Sequence, residues 1–153
     1  MTETSMEMKI DYGCCELLEN HAYADLAYEN LKEAKLPSYT EEELAFASKL
    51  EDTLSGETVE NARKLYDTEG LPLAMKVGIR DLYQRNPLTA SSDSGDVSYI
   101  MPMCLISTVC WPAAVSPHTW QASASAGSSI GEKGALSAAR VMAGIAYDLY
   151  QSS

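Results

Sequence analysis

Residues 104–111, Cys-Leu-Ile-Ser-Thr-Val-Cys-Trp, form a nearly continuous apolar run that contains β-branched side chains. A run of this kind is typical of a central β-strand that is covered on both faces. Just before it, residues 97–101 predict a second, short strand that Pro102 ends. The middle of the chain therefore predicts part of a buried sheet.

A third strand is predicted near the N-terminus, where apolar and polar residues alternate over residues 6–15. The apolar side chains would share one face, and they are Met6, Met8, Ile10, Tyr12 and Cys14. Alternation with period two is the pattern of a strand that has one buried and one solvated side.

Helices are predicted around these strands. Asn20 can cap a helix that runs to about Ala34, and Thr40 and Glu43 have the spacing of a capping box for the next helix. Residues 58–69 predict a shorter helix, while residues 71–86 are ambiguous because Gly78 weakens a helical pattern.

The final helix is predicted to begin near Ser129, with capping-box spacing to Glu132, and to end at about Tyr150. Its packing face is expected to consist of small residues and one methionine, namely Ala135, Ala138, Ala139, Met142, Ala143 and Ala146. Strands with helices packed on them predict an α/β fold.

The composition is that of one ordinary globular domain: 153 residues, 46% hydrophobic, with a formal charge of −11. The negative charge disfavours binding to nucleic acid or to an acidic membrane surface. No apolar stretch is long enough for a membrane span, and the first residues lack the pattern of a secretory signal, so a cytoplasmic location is expected. The four cysteines are then expected to be reduced.

Three polar residues are candidates for a site: His118 in a turn, and Asp93 and Asp96 in a small polar loop. Loops at strand ends often carry active-site residues. A surface histidine in a turn, and aspartates that bond their own backbone, explain the same residues without a site. The spacing alone leaves both interpretations open.

An ordered series of motifs carries a resemblance to a known family. The series is Ser-Ser-Asp-Ser-Gly-Asp-Val-Ser-Tyr at 91–99, Ser-Pro-His-Thr-Trp-Gln at 116–121 and Gly-Ser-Ser-Ile-Gly-Glu-Lys-Gly at 127–134. It resembles the C-terminal part of the zinc-dependent amidohydrolases and exopeptidases typified by the B subunit of aminobenzoyl-glutamate hydrolase. Residues 10–20 look like the exit from the small lid domain of that family.

The resemblance implies a partial zinc-exopeptidase-like sheet with packed helices, preceded by a strand from the lid domain. Residues 1–20 would end the lid domain and residues 21–153 would be the C-terminal part of the catalytic domain. His118 matches the last metal ligand of a site for two zinc or manganese ions, with Asp93 and Asp96 lining it or lying behind the ligands. The other ligands and the general base would lie in an N-terminal half or partner subunit, so no catalytic residue is assigned in this chain.

The expected function is that of a fragment or subunit of a metallopeptidase-type hydrolase that cleaves the amide bond of N-acyl amino acids or short peptides, inactive alone. Exposed strand edges and an exposed sheet face predict a homo-oligomer. One alternative is a non-catalytic interaction or regulatory protein that keeps the hydrolase scaffold. Another is thiol chemistry at the adjacent Cys14 and Cys15.

Overall fold

The computed structural model describes residues 2–66 and 92–151. Those residues form six helices and no strand: α1 (His21–Glu33), α2 (Glu41–Glu51), α3 (Gly56–Tyr66), α4 (Ser94–Ser98), α5 (Trp120–Ala126) and α6 (Ser129–Gln151). The predicted α/β fold with a sheet is therefore wrong. The ambiguous residues 71–86 lie outside the described part of the chain.

The first two helices begin where the sequence predicts. The Asn20 side chain accepts a hydrogen bond from the Tyr23 backbone N–H at 3.0 Å, and α1 ends one residue before Ala34. At α2 both halves of the capping box form: Thr40 Oγ1 accepts from the Glu43 N–H, and Glu43 Oε2 accepts from the Thr40 N–H at 2.7 Å. These two predictions are confirmed.

Residues 2–20 form neither a helix nor a strand. The alternating side chains of the predicted strand are largely exposed, at 82% for Met6 and 80% for Tyr12. A strand exists only when its backbone groups bond to a neighbouring strand, and the described chain supplies none. Apolar and polar residues do alternate in this segment, but no described strand pairs with it. The predicted boundary at residue 20 coincides with the start of α1, and the division into two domains stays a prediction.

Residues 104–111 are buried in part by helices rather than by a sheet. Thr108 Oγ1 donates to the Gly134 carbonyl at 3.0 Å, and the buried Ser125 donates to the Cys110 carbonyl at 2.9 Å. The segment lies so close to α6 that a Cβ on Gly134 would overlap the Val109 carbonyl oxygen. This apolar segment with its β-branched residues thus packs directly against α5 and α6. A sequence run of this kind looks the same whether helices or a sheet bury it.

The second predicted strand, residues 97–101, is also wrong. Ser94–Ser98 is the short helix α4, and turns follow it at Tyr99 and Ile100. The preceding Asp93 supplies the carbonyl that accepts from the N–H groups of Asp96 and Val97. The polar residues that were predicted as a loop therefore begin a helical turn.

Helix α6 is the common partner in two of the core clusters. Its Val141 and Ile145 pack with Ala27 of α1, and its Ile130 packs with Ala47 of α2. The buried face of α6 contains Ile130, Gly131, Gly134, Ser137, Val141 and Ile145. The expected packing face is therefore wrong: Ala138 is half-buried, and Ala135, Ala139, Met142, Ala143 and Ala146 are exposed. In the described part of the chain, no helix has the length and apolar character needed to cross a membrane.

Candidate functional site

His118 lies in the turn that precedes α5. Thr119 fixes this turn, because its Oγ1 donates to the Ser116 carbonyl at 2.8 Å and accepts from the Ala122 N–H at 3.2 Å. The first bond closes the turn and the second caps α5. The sequence Ser-Pro-His-Thr-Trp thus forms a rigid corner, and His118 is exposed on it.

The backbone of His118 is left-handed, with φ at 63°. This conformation brings the Cβ of an L-residue close to its own carbonyl and costs roughly 1–2 kcal/mol relative to the right-handed region. Glycine would adopt it without that cost. A strained non-glycine residue in an exposed turn suggests that its side chain has a use.

The His118 imidazole makes no hydrogen bond or ion pair with any residue that the structure describes. An exposed imidazole without a competing partner is able to bind a metal through a ring nitrogen. The other histidine, His21, begins α1 and has Glu19 at 3.9 Å.

Asp93 and Asp96 lie at the start of α4 and differ in what they contact. Asp93 is the residue that caps α4, but its carboxylate makes no capping hydrogen bond. Asp96 Oδ1 accepts from the Cys15 backbone N–H at 2.9 Å. That bond, together with one from the Cys15 thiol, lowers the pKa of Asp96. The same carboxylate raises the pKa of Cys15, because the thiol is a hydrogen-bond donor only while it is protonated.

One further hydrogen bond holds residues 15–18 against α4. The Leu18 N–H donates to Ser98 Oγ at 2.8 Å, and Ser98 in turn donates to the Gly95 carbonyl. Gly95 is needed for this approach, since a Cβ there would overlap the Cys15 carbonyl oxygen. Asp96, Ser98 and Gly95 therefore act as a tether for a segment about 80 residues earlier in the chain.

The sequence alone does not reveal this tether. Asp96 was predicted as a site residue, Ser98 was not assigned, and Cys15 was predicted to lie in a strand. The available signal was Gly95 between two small polar residues, which marks close approach of another backbone segment. The sequence contains nothing that identifies Cys15 and Leu18 as the approaching residues.

A shallow groove of about 290 Å³ lies beside the tether, between residues 18–20 and 98–103. His118 is not among its lining residues. Its polar atoms include the Ser98 hydroxyl, which is already engaged with Leu18 and Gly95. The lining of the groove is about equally polar and apolar.

The structure does not join the three predicted site residues by a polar contact. Between residues 2–66 and 92–151, no hydrogen bond or ion pair links His118 to Asp93 or Asp96. In the same residues, no three His, Cys, Asp or Glu side chains are grouped so that they could hold a metal ion. The described donors thus do not fit a two-metal centre, although His118 is suitable as one ligand.

Comparison with known proteins identifies a curated relative. No family model matches the chain, and no solved structure matches it significantly. The chain is 30% identical over 165 residues to the B subunit of p-aminobenzoyl-glutamate hydrolase from Escherichia coli (strain K12), and the match covers 100% of this chain and 34% of that protein. This match confirms the resemblance in the motifs: over its whole length the chain is similar to about one third of that hydrolase subunit, consistent with a C-terminal portion of its family.

Proposed function

We propose that this chain is the C-terminal portion of a metal-dependent amidohydrolase that cleaves the amide bond of N-acyl amino acids or short peptides. The observation that carries the proposal is the match to the B subunit of p-aminobenzoyl-glutamate hydrolase across the entire chain. p-Aminobenzoyl-glutamate, an amide of glutamate, is the substrate to test first. The relative is by its name one subunit of an enzyme, which supports a requirement for further polypeptide.

His118 is the residue that we assign to metal binding. Three observations support the assignment: the residue is exposed, its backbone is left-handed, and no described side chain occupies its imidazole. Neutral imidazole is a good ligand for zinc, and hydrogen bonds to the second ring nitrogen orient it. Of the two aspartates, Asp93 is better suited to line the site, because Asp96 already binds Cys15.

The metal ions would be zinc or manganese, which activate water and polarise an amide carbonyl when they are bound. His118 alone is not enough to hold two ions, and no group of three ligands is present among the described residues. The remaining ligands and the general base would therefore come from outside the described residues, either from the rest of the hydrolase or from a partner subunit. On this proposal the isolated chain has no hydrolase activity.

A second candidate is a non-catalytic interaction or regulatory protein that keeps the hydrolase scaffold. The observation in its favour is that Asp96, which the family resemblance places at the site, is used structurally, because it tethers Cys15. This candidate needs no role for the His118 imidazole. The two functions are therefore separated by what happens when His118 is replaced.

The first experiment measures zinc binding to the purified chain by isothermal titration calorimetry. We expect one weak site in the unmodified chain, loss of that site in His118→Ala, and an unchanged titration in His21→Ala, the matched control. Binding that survives His118→Ala would refute the role of His118. Hydrolysis of p-aminobenzoyl-glutamate by the chain alone with zinc or manganese would show that its site is complete, contrary to the proposal.

The second experiment tests the hydrolase itself in a chimera. The matching third of the E. coli hydrolase subunit is replaced by this chain, and turnover of p-aminobenzoyl-glutamate is measured alongside circular dichroism. We expect activity that falls at least 100-fold in His118→Ala and is retained in His21→Ala. A folded chimera that is inactive, or one in which His118→Ala has no effect, would favour the non-catalytic scaffold.

A further inference from the structure

The turn that carries His118 lies between two buried stretches of the chain. Residues 116–118 are exposed, whereas Val115 before them is only 4% exposed and Gln121 after them only 8%. Glutamine is mostly found at protein surfaces, so its burial next to an exposed turn is informative.

The buried Gln121 side chain reaches a different helix. Its Nε2 donates to Thr53 Oγ1 at 3.0 Å, and Thr53 Oγ1 in turn donates to the Leu50 carbonyl at 2.7 Å. Leu50 is a buried residue of α2, and Thr53 follows the end of that helix. The first turn of α5 is therefore joined to the end of α2 across 68 residues of sequence.

This bond differs from those of Thr119, which stay within the turn and the first turn of α5. Thr119 bonds to Ser116 and to Ala122, so these contacts shape the corner but do not hold it against another helix. Among the described hydrogen bonds of residues 116–122, the one between Gln121 and Thr53 is the one that reaches a distant part of the chain.

The turn itself needs such a support. Pro117 followed by His118 with φ at 63° is the pattern of a type II turn, whose third residue is usually glycine or asparagine. A strained conformation of this kind persists only when the surrounding structure over-determines it. Burial holds Val115 on one side of the turn, and the bond to Thr53 holds Gln121 on the other.

We propose that Gln121 is a positioning residue that, through Thr53, holds the left-handed turn in which His118 is presented. A metal ligand must be held within about 0.5 Å of its productive position, and a turn that relaxes would not do this. The role of the imidazole rests on the proposed function. The link between Gln121 and the backbone of residue 118 does not.

The test is a double-mutant cycle on the full chain, measured by urea unfolding at pH 7. The unfolding constant of His118→Ala should exceed that of His118→Gly about 2–5-fold, because glycine adopts the left-handed turn without strain. Gln121→Met keeps an unbranched side chain but removes the amide. In that background residue 118 is free to leave the left-handed region, so the ratio should fall to 1 or below.

Thr53 supplies an independent variant of the same bond. Thr53→Val removes the hydroxyl and should abolish the ratio as Gln121→Met does, whereas Thr53→Ser keeps the hydroxyl and should preserve it. The matched control is Ser125→Ala, since Ser125 is a fully buried residue of α5 that donates to the Cys110 carbonyl. This variant should destabilise the chain and leave the ratio at residue 118 unchanged.

Zinc affinity of the chimera, measured by competition with a chelator, connects the turn to the proposed function. Substitutions that disturb the orientation of a metal ligand typically lower metal affinity 10–100-fold. We expect Gln121→Met to weaken zinc binding at least tenfold and Ser125→Ala to leave it unchanged, with circular dichroism confirming that each variant is folded.

A ratio that survives both Gln121→Met and Thr53→Val would overturn the proposal. So would a ratio that is also lost in Ser125→Ala, because general loosening of α5 would then explain it, or a zinc affinity that Gln121→Met does not change. A native chimera that binds no zinc would refute the proposed function instead, and the cycle in the isolated chain would still decide whether Gln121 holds the turn.

Discussion

Glu43 of α2 and Lys133 of α6 form an ion pair with 2.6 Å between Oε2 and Nζ, and their side chains are only 10% and 33% exposed. The same carboxylate accepts from Ser129 Oγ and from the Thr40 N–H, so it closes the α2 capping box and joins α2 to the first turn of α6. Lys133 also donates to the Ser38 carbonyl at 2.9 Å. The Glu43 carboxylate thus belongs both to the local capping motif of α2 and to a long-range contact with α6.

The first prediction concerns acid stability. The hydrogen bond from Lys133, followed by those from Ser129 and Thr40, lowers the pKa of Glu43 from 4.5 to about 2. A carboxyl whose pKa is lower in the folded state stabilises the fold above its unfolded pKa, and this stabilisation is lost as the pH falls through the folded value. We expect urea unfolding of the native chain to show decreasing stability between about pH 4.5 and 2.

Glu43→Gln should lower stability at pH 7 and flatten that acid limb, because glutamine does not titrate. Glu41→Gln, in the exposed first turn of the same helix, is the control and should keep the slope. If Glu43→Gln left the slope as steep as in the native chain, other carboxyl groups would have to carry the pH dependence.

Local signals in the sequence were sufficient for the features that depend on nearby residues. Asn20 and the pair Thr40 and Glu43 cap helices through bonds within three residues, so their spacing alone predicts them. Helix α6 also starts at Ser129 as predicted, but the expected capping box with Glu132 does not form: Ser129 Oγ donates to Glu43, and Ser128 Oγ accepts from the Ile130 N–H. What the spacing did not reveal was that Glu43 has a second partner, Lys133, 90 residues away.

The predictions that were wrong concern features that depend on contacts with distant parts of the chain. Alternation at residues 6–15 and the apolar run at 104–111 describe which side chains would be buried, but not whether a second strand lies beside them. Residues 104–111 lie against α5 and α6 instead, and hydrogen bonds of Thr108 and Cys110 join them to these helices. The packing face of α6 was misassigned because alanines favour close packing in general, whereas glycines and Val141 form the face that packs here. His118, Asp93 and Asp96 were predicted as site residues, and their metal role stays a proposal.

The second prediction tests the contact between α1 and α6. A Cβ on Gly144 would overlap Asn30 Oδ1. Asn30 is buried and its amide group donates to the Leu26 carbonyl and to Asp148 Oδ2, so it has little freedom to move. Gly144→Ala should therefore lower the free energy of unfolding, because overpacking costs about 1–3 kcal/mol and exceeds the roughly 1 kcal/mol that alanine gains over glycine inside a helix.

The control is Gly56→Ala at the start of α3, where an added Cβ meets nothing within 4 Å. Its effect should stay within about 0.5 kcal/mol, as for most surface substitutions. Both variants are compared by urea denaturation at pH 7. Equal effects at the two positions would mean that α1 and α6 do not approach each other at Gly144.

The third prediction concerns the reactivity of Cys15. Its pKa is raised mainly because the thiol donates to Asp96, and the thiolate is the form that reacts with iodoacetamide. Asp96→Asn removes the negative charge while its amide oxygen is able to accept the Cys15 N–H. Alkylation of Cys15 should therefore become faster, as followed by peptide mass spectrometry at pH 8.

Cys14 is an internal control, since it is exposed in the same segment and its thiol makes no hydrogen bond to any of the described residues. Its rate should not change in Asp96→Asn. Equal acceleration of both thiols would mean that the substitution released the whole segment from α4. Rapid labelling of both thiols in the native chain would instead favour thiol chemistry at the adjacent pair.

The last prediction separates the backbone of His118 from its imidazole. Glycine at this position relieves a strain of roughly 1–2 kcal/mol, and its extra freedom in the unfolded chain costs about 0.5–1 kcal/mol. His118→Gly should therefore be more stable than His118→Ala by about 0.5–1 kcal/mol in urea denaturation. Ala124→Gly in α5 should show the opposite sign, because glycine destabilises a helix.

Both variants at 118 lack the imidazole, so zinc binding should be lost equally in the two. The stability difference between them then measures the left-handed turn alone. If His118→Gly proved no more stable than His118→Ala, the turn would have to relax in solution, and the strain would no longer support a role for this side chain.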